Sequence, residues 1–202
     1  MTRSLTRRSA LTVLAGAMLL VAGACATPTA YHPTDPLGET LSRLQDARAS
    51  KAMGRVRGYV VFGQDIFTRF KNHPVSLVPI SPDMEDAVTA IHDGYVADRR
   101  APLPHRKALA HFTTLEQHVA AIKARGLGDL VLLTKTDPDE GRFDFPEVPA
   151  GRWLLVARVS TSVSIAYWAI PIEVQPGATI KQDLLDTNFW IEGLLKNSTA
   201  GE

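Results

Sequence analysis

The sequence predicts a mainly β fold: a seven-strand antiparallel sandwich that carries a two-helix insertion. Short segments of alternating apolar residues recur along the chain, and Gly or Pro residues separate them, which is typical of antiparallel sheets. Between residues 81 and 128 this alternation gives way to helical spacing. With 202 residues, 45% of them hydrophobic, the chain has room for one such domain and its appendages.

Residues 1–24 are predicted to be an export signal. Arg3, Arg7 and Arg8 precede an uncharged apolar run over residues 11–24. As a helix this run would span about 20 Å, less than the roughly 30 Å hydrocarbon core of a bilayer. A signal peptide therefore fits better than a permanent membrane helix. The Arg7-Arg8 pair resembles a twin-arginine signal, and the general export route is the alternative.

Cys25 is the only cysteine, so no intramolecular disulfide can form. It follows Val21-Ala22-Gly23-Ala24, and the five residues together resemble a bacterial lipobox. That resemblance implies a lipid on Cys25 that anchors the protein to a membrane; ordinary cleavage after Ala24 is the alternative. We therefore expect an exported protein of the bacterial cell envelope, in the periplasm or at the cell surface. The net charge of +1 does not predict nucleic-acid binding.

The remaining chain divides into three parts. Residues 25–54 are expected to form a Pro-containing tether and a possible short helix. Residues 55–187 are predicted to form the sandwich, with its helical insertion at 81–128. Residues 188–202 are expected to be a tail beyond the last strand.

Two helices are predicted in the insertion. The first begins at Ser81-Pro82-Asp83 and places Met84, Val88, Ile91 and Tyr95 on one face. The second is predicted from Thr113, because the run Thr113 to Glu116 has the spacing of a capping box.

The centre of the predicted sandwich is the run over residues 130–157. The segment 130–136 begins with four consecutive apolar residues, which predicts a central strand. An acidic turn ending at Gly141 follows, and Phe143 and Phe145 are expected to point into the core. Gly151 supplies a corner before the alternating face that begins at Trp153. We interpret residues 136–157 as the middle hairpin of the sandwich.

This run resembles the carboxypeptidase regulatory-like domain, a transthyretin-like (prealbumin-like) β-sandwich. The resemblance rests on the run from Thr136-Asp137 through Phe143 and Phe145 to Gly151, together with segments 55–60, 75–79 and 172–177. The sequence departs from the family pattern at two places: the turn has one extra residue, and Trp153 stands where Tyr is commoner. The resemblance implies folding support, display or protein interaction, and it implies no catalytic residues.

Few residue patterns predict chemistry. Asp137, Asp139, Glu140 and Asp144 could bind Ca²⁺, although turn formation is the better interpretation because EF-hand spacing is absent. The histidines at 73, 92, 105, 111 and 118 invite a zinc hypothesis, but no His-x-x-x-His pattern or cysteine pair occurs. No nucleophile elbow is present either. We therefore expect no catalytic residue, metal or cofactor.

Aromatic residues are the remaining candidates for recognition. Tyr167 and Trp168 are adjacent, so one of the two should face away from the core of a regular strand. Phe189 and Trp190 fall in the predicted tail. An exposed ring could bind a sugar or a partner protein. The alternative is that helices cover one face of the strand and the other sheet covers the opposite face.

These observations favour a non-catalytic envelope lipoprotein that acts as a protein-interaction or assembly module. Its expected partners are a membrane, through the lipid on Cys25, and an envelope protein. A secreted or periplasmic carbohydrate-binding accessory protein is the alternative, and a metal-dependent hydrolase is the second alternative.

Overall fold

The computed structural model describes residues 35–62, 70–161 and 164–195. Cys25 and the predicted export signal lie outside these described residues. The described part contains three α-helices, a short 3₁₀-helix at Gly128–Leu130 and nine strands. The helices are α1 (Pro36–Ala49), α2 (Pro82–Ala97) and α3 (His105–Ala124). The strands are β1 (Met53–Tyr59), β2 (Pro74–Pro79), β3 (Leu103–Pro104), β4 (Leu132–Lys135), β5 (Arg142–Pro149), β6 (Gly151–Ser160), β7 (Ser164–Val174), β8 (Thr179–Lys181) and β9 (Ile191–Leu194).

The strands form two sheets in a sandwich-like arrangement around one hydrophobic core. The small sheet has the order β5-β1-β8, and the large sheet has the order β3-β9-β7-β6-β2-β4. The prediction of a mainly β fold is confirmed. The prediction of seven purely antiparallel strands is wrong, because nine strands occur in the described residues and the β1–β8 and β3–β9 pairs are parallel.

The run over residues 136–157 crosses between the two sheets and is not a hairpin. Strand β5 pairs with β1 in the small sheet, whereas β6 pairs with β2 and β7 in the large sheet. Gly151, with φ of 148°, makes the corner between them. The indole Nε1 of Trp153 donates a 2.9 Å hydrogen bond to the Pro149 carbonyl oxygen across this corner. Phe143 and Phe145 are buried, as predicted.

Strand β4 lies at the edge of the large sheet, although its apolar sequence predicted a central position. Its neighbour on one side is β2, and no other strand of the described chain pairs with it. Leu133 on this strand is 70% exposed. The apolar residues at the start of this segment thus do not indicate a strand that is buried on both faces.

The two insertion helices are present, but the second begins earlier than predicted. Helix α2 starts behind Ser81, and its residues Met84, Val88 and Tyr95 are buried. Helix α3 starts at His105, eight residues before Thr113. The hydroxyl of Thr113 donates to the carbonyl oxygen of Leu109 at 2.9 Å, as mid-helix threonines commonly do.

Both ends of the described chain are packed onto the sandwich. Helix α1 buries Leu41 and Leu44, so the possible short helix within residues 25–54 is an integral element of the fold. The predicted tail at 188–202 contains β9, which pairs with β7 and β3. No helix in the described residues is both long and apolar enough to cross a bilayer.

Candidate functional site

The four aromatic residues predicted as binding candidates are all buried. Their exposed fractions are 1% for Tyr167, 0% for Trp168, 6% for Phe189 and 2% for Trp190. An exposed ring platform is therefore not formed by these residues, and the alternative, in which both faces of the strand are covered, is the one observed.

Tyr167 and Trp168 point to opposite faces of β7. Trp168 lies on the inner face, where its ring packs edge-on against Phe62 and Phe189 with centroids 5.8 and 6.2 Å away. Its Nε1 donates a 3.0 Å hydrogen bond to the Leu185 carbonyl oxygen. On the outer face Tyr167 lies 4.8 Å from Phe112 of α3, and its burial raises the pKa of the phenol.

Trp190 lies between the sandwich and the two insertion helices. Its Nε1 donates to the carbonyl oxygen of Val88 on α2 at 2.9 Å, and its ring lies 6.2 Å from the His111 ring of α3. Burial, and then the nearby charge of Lys107, lower the pKa of His111. Trp190 also lines a hollow of about 220 Å³. The polar side chains around this hollow are Thr89, His92, Gln182 and Asn188.

Two of the four histidines of the insertion lie within hydrogen-bond distance of backbone carbonyl oxygens, at separate places. The Nδ1 atom of His92 lies 3.3 Å from the Trp190 carbonyl oxygen, and the Nε2 atom of His118 lies 2.8 Å from the Pro79 carbonyl oxygen. Within the residues that the structure describes, no three His, Cys, Asp or Glu side chains are grouped to hold a metal ion. The proposed zinc cluster is therefore not formed by these histidines.

The acidic turn is organised by the carboxylate of Asp137. Its Oδ1 accepts hydrogen bonds from the backbone N–H groups of residues 139, 140 and 141, and its Oδ2 accepts one from residue 142. These bonds, that of Glu140 first, hold the pKa of Asp137 below its usual value. Asp144 instead forms an ion pair with Arg55. Both carboxylates thus have structural partners.

The larger candidate site is an apolar groove between α3 and the outer face of the large sheet. It has a volume of about 570 Å³. The sheet and the segment before β4 contribute Ser76, Val78, Val131, Leu133 and Val156, and α3 contributes Phe112, Leu115, Glu116, Val119, Ala120 and Lys123. Hereafter we call it the α3 groove.

The strand register explains the floor of the α3 groove. Leu133 pairs with Ser76, and Ser76 pairs with Val156, so these residues form one row across three neighbouring strands. Helix α3 is held over β7 by the contact between Phe112 and Tyr167, one strand beyond this row. Beside the helix Leu133 of β4 is therefore exposed and Ser76 of β2 is half-buried, whereas Val78 and Val156 are buried.

The rim of the α3 groove carries opposite charges. Glu116 and Lys123 lie seven residues apart on α3, and both line the groove. An apolar centre with a polar rim is the usual anatomy of a protein-binding surface. Sequence analysis missed this site because it placed β4 in the centre of a sheet; the exposed Leu133 is visible only once the sheet order is known.

Comparison with known proteins gives little further guidance. No protein-family model matches the chain, and no curated protein matches it in sequence. A crystal structure of a proposed carbohydrate-binding protein from Pseudomonas aeruginosa is similar to 70% of this chain and 95% of its own, with 17% identity and a TM-score of 0.36. A likeness at that score carries no argument about fold or ligand.

Proposed function

We propose that this protein is a lipid-anchored module of the bacterial cell envelope that binds a partner protein and has no catalytic role. The observation that carries the binding role is the α3 groove, in which Leu133 is 70% exposed on an edge strand. An exposed edge presents unpaired backbone groups, and an extended segment of a partner can pair with them. The partner we propose is therefore an extended apolar segment of an envelope protein that lies along β4.

The anchoring part of the proposal rests on the sequence around Cys25. Helix α1 begins at Pro36, eleven residues after Cys25. An extended stretch of that length reaches about 35 to 40 Å, enough to hold the sandwich clear of lipid headgroups. Metabolic labelling with a palmitate analogue tests the anchor. We expect the wild-type chain to be labelled and Cys25→Ala to be unlabelled; a labelled Cys25→Ala variant would contradict the anchor.

The partner role is tested by photo-crosslinking in intact cells followed by purification of the adduct. We expect an adduct from a probe at position 135 of β4. The adduct should be lost in Leu133→Asp and kept in Leu109→Asp, because Leu109 is 41% exposed on α3 but does not line the groove. Equal adduct from both variants would contradict binding at the α3 groove. Thermal melts of both variants check that the sandwich stays folded.

We also propose that the sandwich has the transthyretin-like connectivity of the carboxypeptidase regulatory-like domain. Supporting this proposal, an aromatic strand, a Pro/Gly corner and a long apolar strand follow one another at residues 142–160. A crystal structure tests it, since a different order of strand connections would contradict the resemblance.

Carbohydrate binding is a second candidate function, and its proposed site is the hollow beside Trp190 instead of an exposed aromatic ring. The buried rings cannot offer a flat face to a sugar, but the hollow beside Trp190 has four polar side chains that could bond hydroxyl groups. Binding of neutral oligosaccharides that is lost in Thr89→Ala and Gln182→Ala would support it. Unchanged binding in both variants would contradict it.

A further inference from the structure

The outer face of the small sheet holds a second, chemically different hollow. It has a volume of about 300 Å³, and its lining includes Arg57, Tyr59, Arg142, Lys181 and Asp183. It lies on the other sheet from the α3 groove. We call it the basic hollow.

The strand pairing brings three cations to this hollow from three different strands. Strand β1 is the middle strand, with β5 on one side and β8 on the other. Arg57 of β1 pairs in register with Lys181 of β8, and Tyr59 of β1 pairs with Arg142 of β5. Neighbouring strands lie about 4.8 Å apart, so the Cα atoms that carry the three charged side chains are close together. The parallel β1–β8 pair, which sequence analysis did not predict, is what creates this cluster.

The carboxylates near the hollow are largely engaged with other groups. The Oδ1 of Asp183 accepts a 3.0 Å hydrogen bond from the backbone N–H of Tyr59. Asp137 lies 3.8 Å from the Nε of Arg142, but its two oxygens also accept four hydrogen bonds from its own turn. Asp144 lies opposite Arg57 in the β1–β5 register, but its ion pair is with Arg55, which does not line the hollow.

Two of the three cations form no direct ion pair with a carboxylate within the described residues. Among residues 35–62, 70–161 and 164–195, neither Arg57 nor Lys181 forms a salt bridge. Cations gathered without partners repel one another, and this repulsion is relieved when an anion binds between them. The cluster therefore favours a negatively charged ligand.

We propose that the basic hollow binds the phosphate group of a small ligand. The guanidinium groups of Arg57 and Arg142 supply forked N–H donors that match phosphate oxygens, and Lys181 supplies a compact third charge. A volume of about 300 Å³ holds roughly ten waters at about 30 Å³ each, more than the five heavy atoms of a bare phosphate occupy. The remaining space accommodates the molecule that carries the phosphate, next to Tyr59. A soluble phosphorylated sugar and a lipid headgroup share this chemistry.

The first arm of the test uses soluble probes and the full chain with Cys25→Ser, so that no lipid is attached. Isothermal titration is carried out with inorganic phosphate, with glucose 6-phosphate and with glucose. We expect saturable binding of glucose 6-phosphate that weakens as NaCl is raised. Arg57→Gln and Lys181→Gln should each weaken this binding at least tenfold. Arg43→Gln is the control, because Arg43 lies on α1 with its side chain 80% exposed.

The second arm measures sedimentation of the same chain with vesicles of phosphatidylglycerol or of phosphatidylcholine. Binding to phosphatidylglycerol vesicles that Arg57→Gln and Lys181→Gln abolish would identify a lipid headgroup as the source of the phosphate. Absence of saturable binding in both arms overturns the proposal, as does binding that both variants retain. Melting curves of the two variants establish that they are folded. Neither arm depends on the α3 groove. A negative result in both arms would therefore overturn phosphate binding and leave the proposed partner binding unaffected.

Discussion

The Nε1 atom of Trp190 donates a 2.9 Å hydrogen bond to the carbonyl oxygen of Val88, a residue 102 positions earlier in the chain. The bond joins the residue immediately before β9 to the middle of α2. Trp190 is 2% exposed, so the bond is shielded from water. The residue thus attaches the insertion to the sandwich.

Replacement of Trp190 by Phe should loosen α2. The variant loses the hydrogen bond and part of the buried ring, and we expect a loss of about 1–3 kcal/mol in the free energy of unfolding. Hydrogen exchange should quicken in α2 more than in β2. Trp153→Phe is the matched control, because it loses a similar bond to Pro149 at the corner between the sheets. Equal exchange in α2 for both variants would contradict the attachment role of Trp190.

Replacement of Gly151 by Ala should destabilise the corner between the sheets. Its φ of 148° is unfavourable for any residue with a Cβ, and that Cβ would lie 2.6 Å from Cδ2 of Leu44. Gly177→Ala is the control, since Gly177 also has positive φ, at 74°, but its Cβ would have no neighbouring atom within 4 Å. We expect chemical denaturation to show a loss about 1–3 kcal/mol larger for Gly151→Ala. Similar losses in the two variants would show that Leu44 of α1 moves away from the added Cβ without a cost in stability.

Truncation of Phe145 to Ala should cost about 3–5 kcal/mol, as is usual for a buried Phe. Phe145 is 4% exposed, and its ring lies 6.1 Å from that of Phe143 in the core. Thermal and urea denaturation measure the loss. The control is Glu147→Ala, an exposed position on the same strand that should change stability little. A shift of only a degree or two in the Tm of Phe145→Ala would conflict with its inward orientation.

The stability of the fold should fall as the pH drops from 7.5 to 5.5. The pKa of His111 is lowered in the folded protein, chiefly by burial, so the unfolded chain binds a proton more readily. The stabilisation is complete above the ordinary His pKa of about 6.5 and is lost as the pH falls below it. Urea denaturation at the two pH values should show a smaller difference for His111→Gln than for the wild type. A difference that is as large in His111→Gln as in the wild type would contradict the role of His111.

Local patterns predicted the elements that depend on local interactions. The spacing of apolar residues after Ser81 predicted helix α2, and the Asp and Gly residues of the acidic turn predicted the turn before Gly141. The start of α3 was missed because the spacing from Thr113 to Glu116 imitates a capping box. Inside an established helix the same threonine bonds to the carbonyl oxygen four residues earlier, and it marks no boundary.

The sheet order could not be predicted because it depends on contacts between distant residues. The apolar run at 130–133 predicted a central strand, yet β4 lies at an edge beside the α3 groove. Tyr167 and Trp168 had two possible environments, and only the position of α3 shows that both are covered. The basic hollow was missed for the same reason, since Arg57 and Lys181 are far apart in sequence and meet through a parallel strand pair.

The last described stretch of the chain contributes to both sheets. Residues 179–181 form β8 beside β1 in the small sheet, and residues 191–194 form β9 between β3 and β7 in the large sheet. Neither sheet can therefore form all of its strand pairs until residues 179–194 have been synthesised. Until then β1 and β7 each have one edge that lacks its neighbouring strand, and such an edge can pair with another chain.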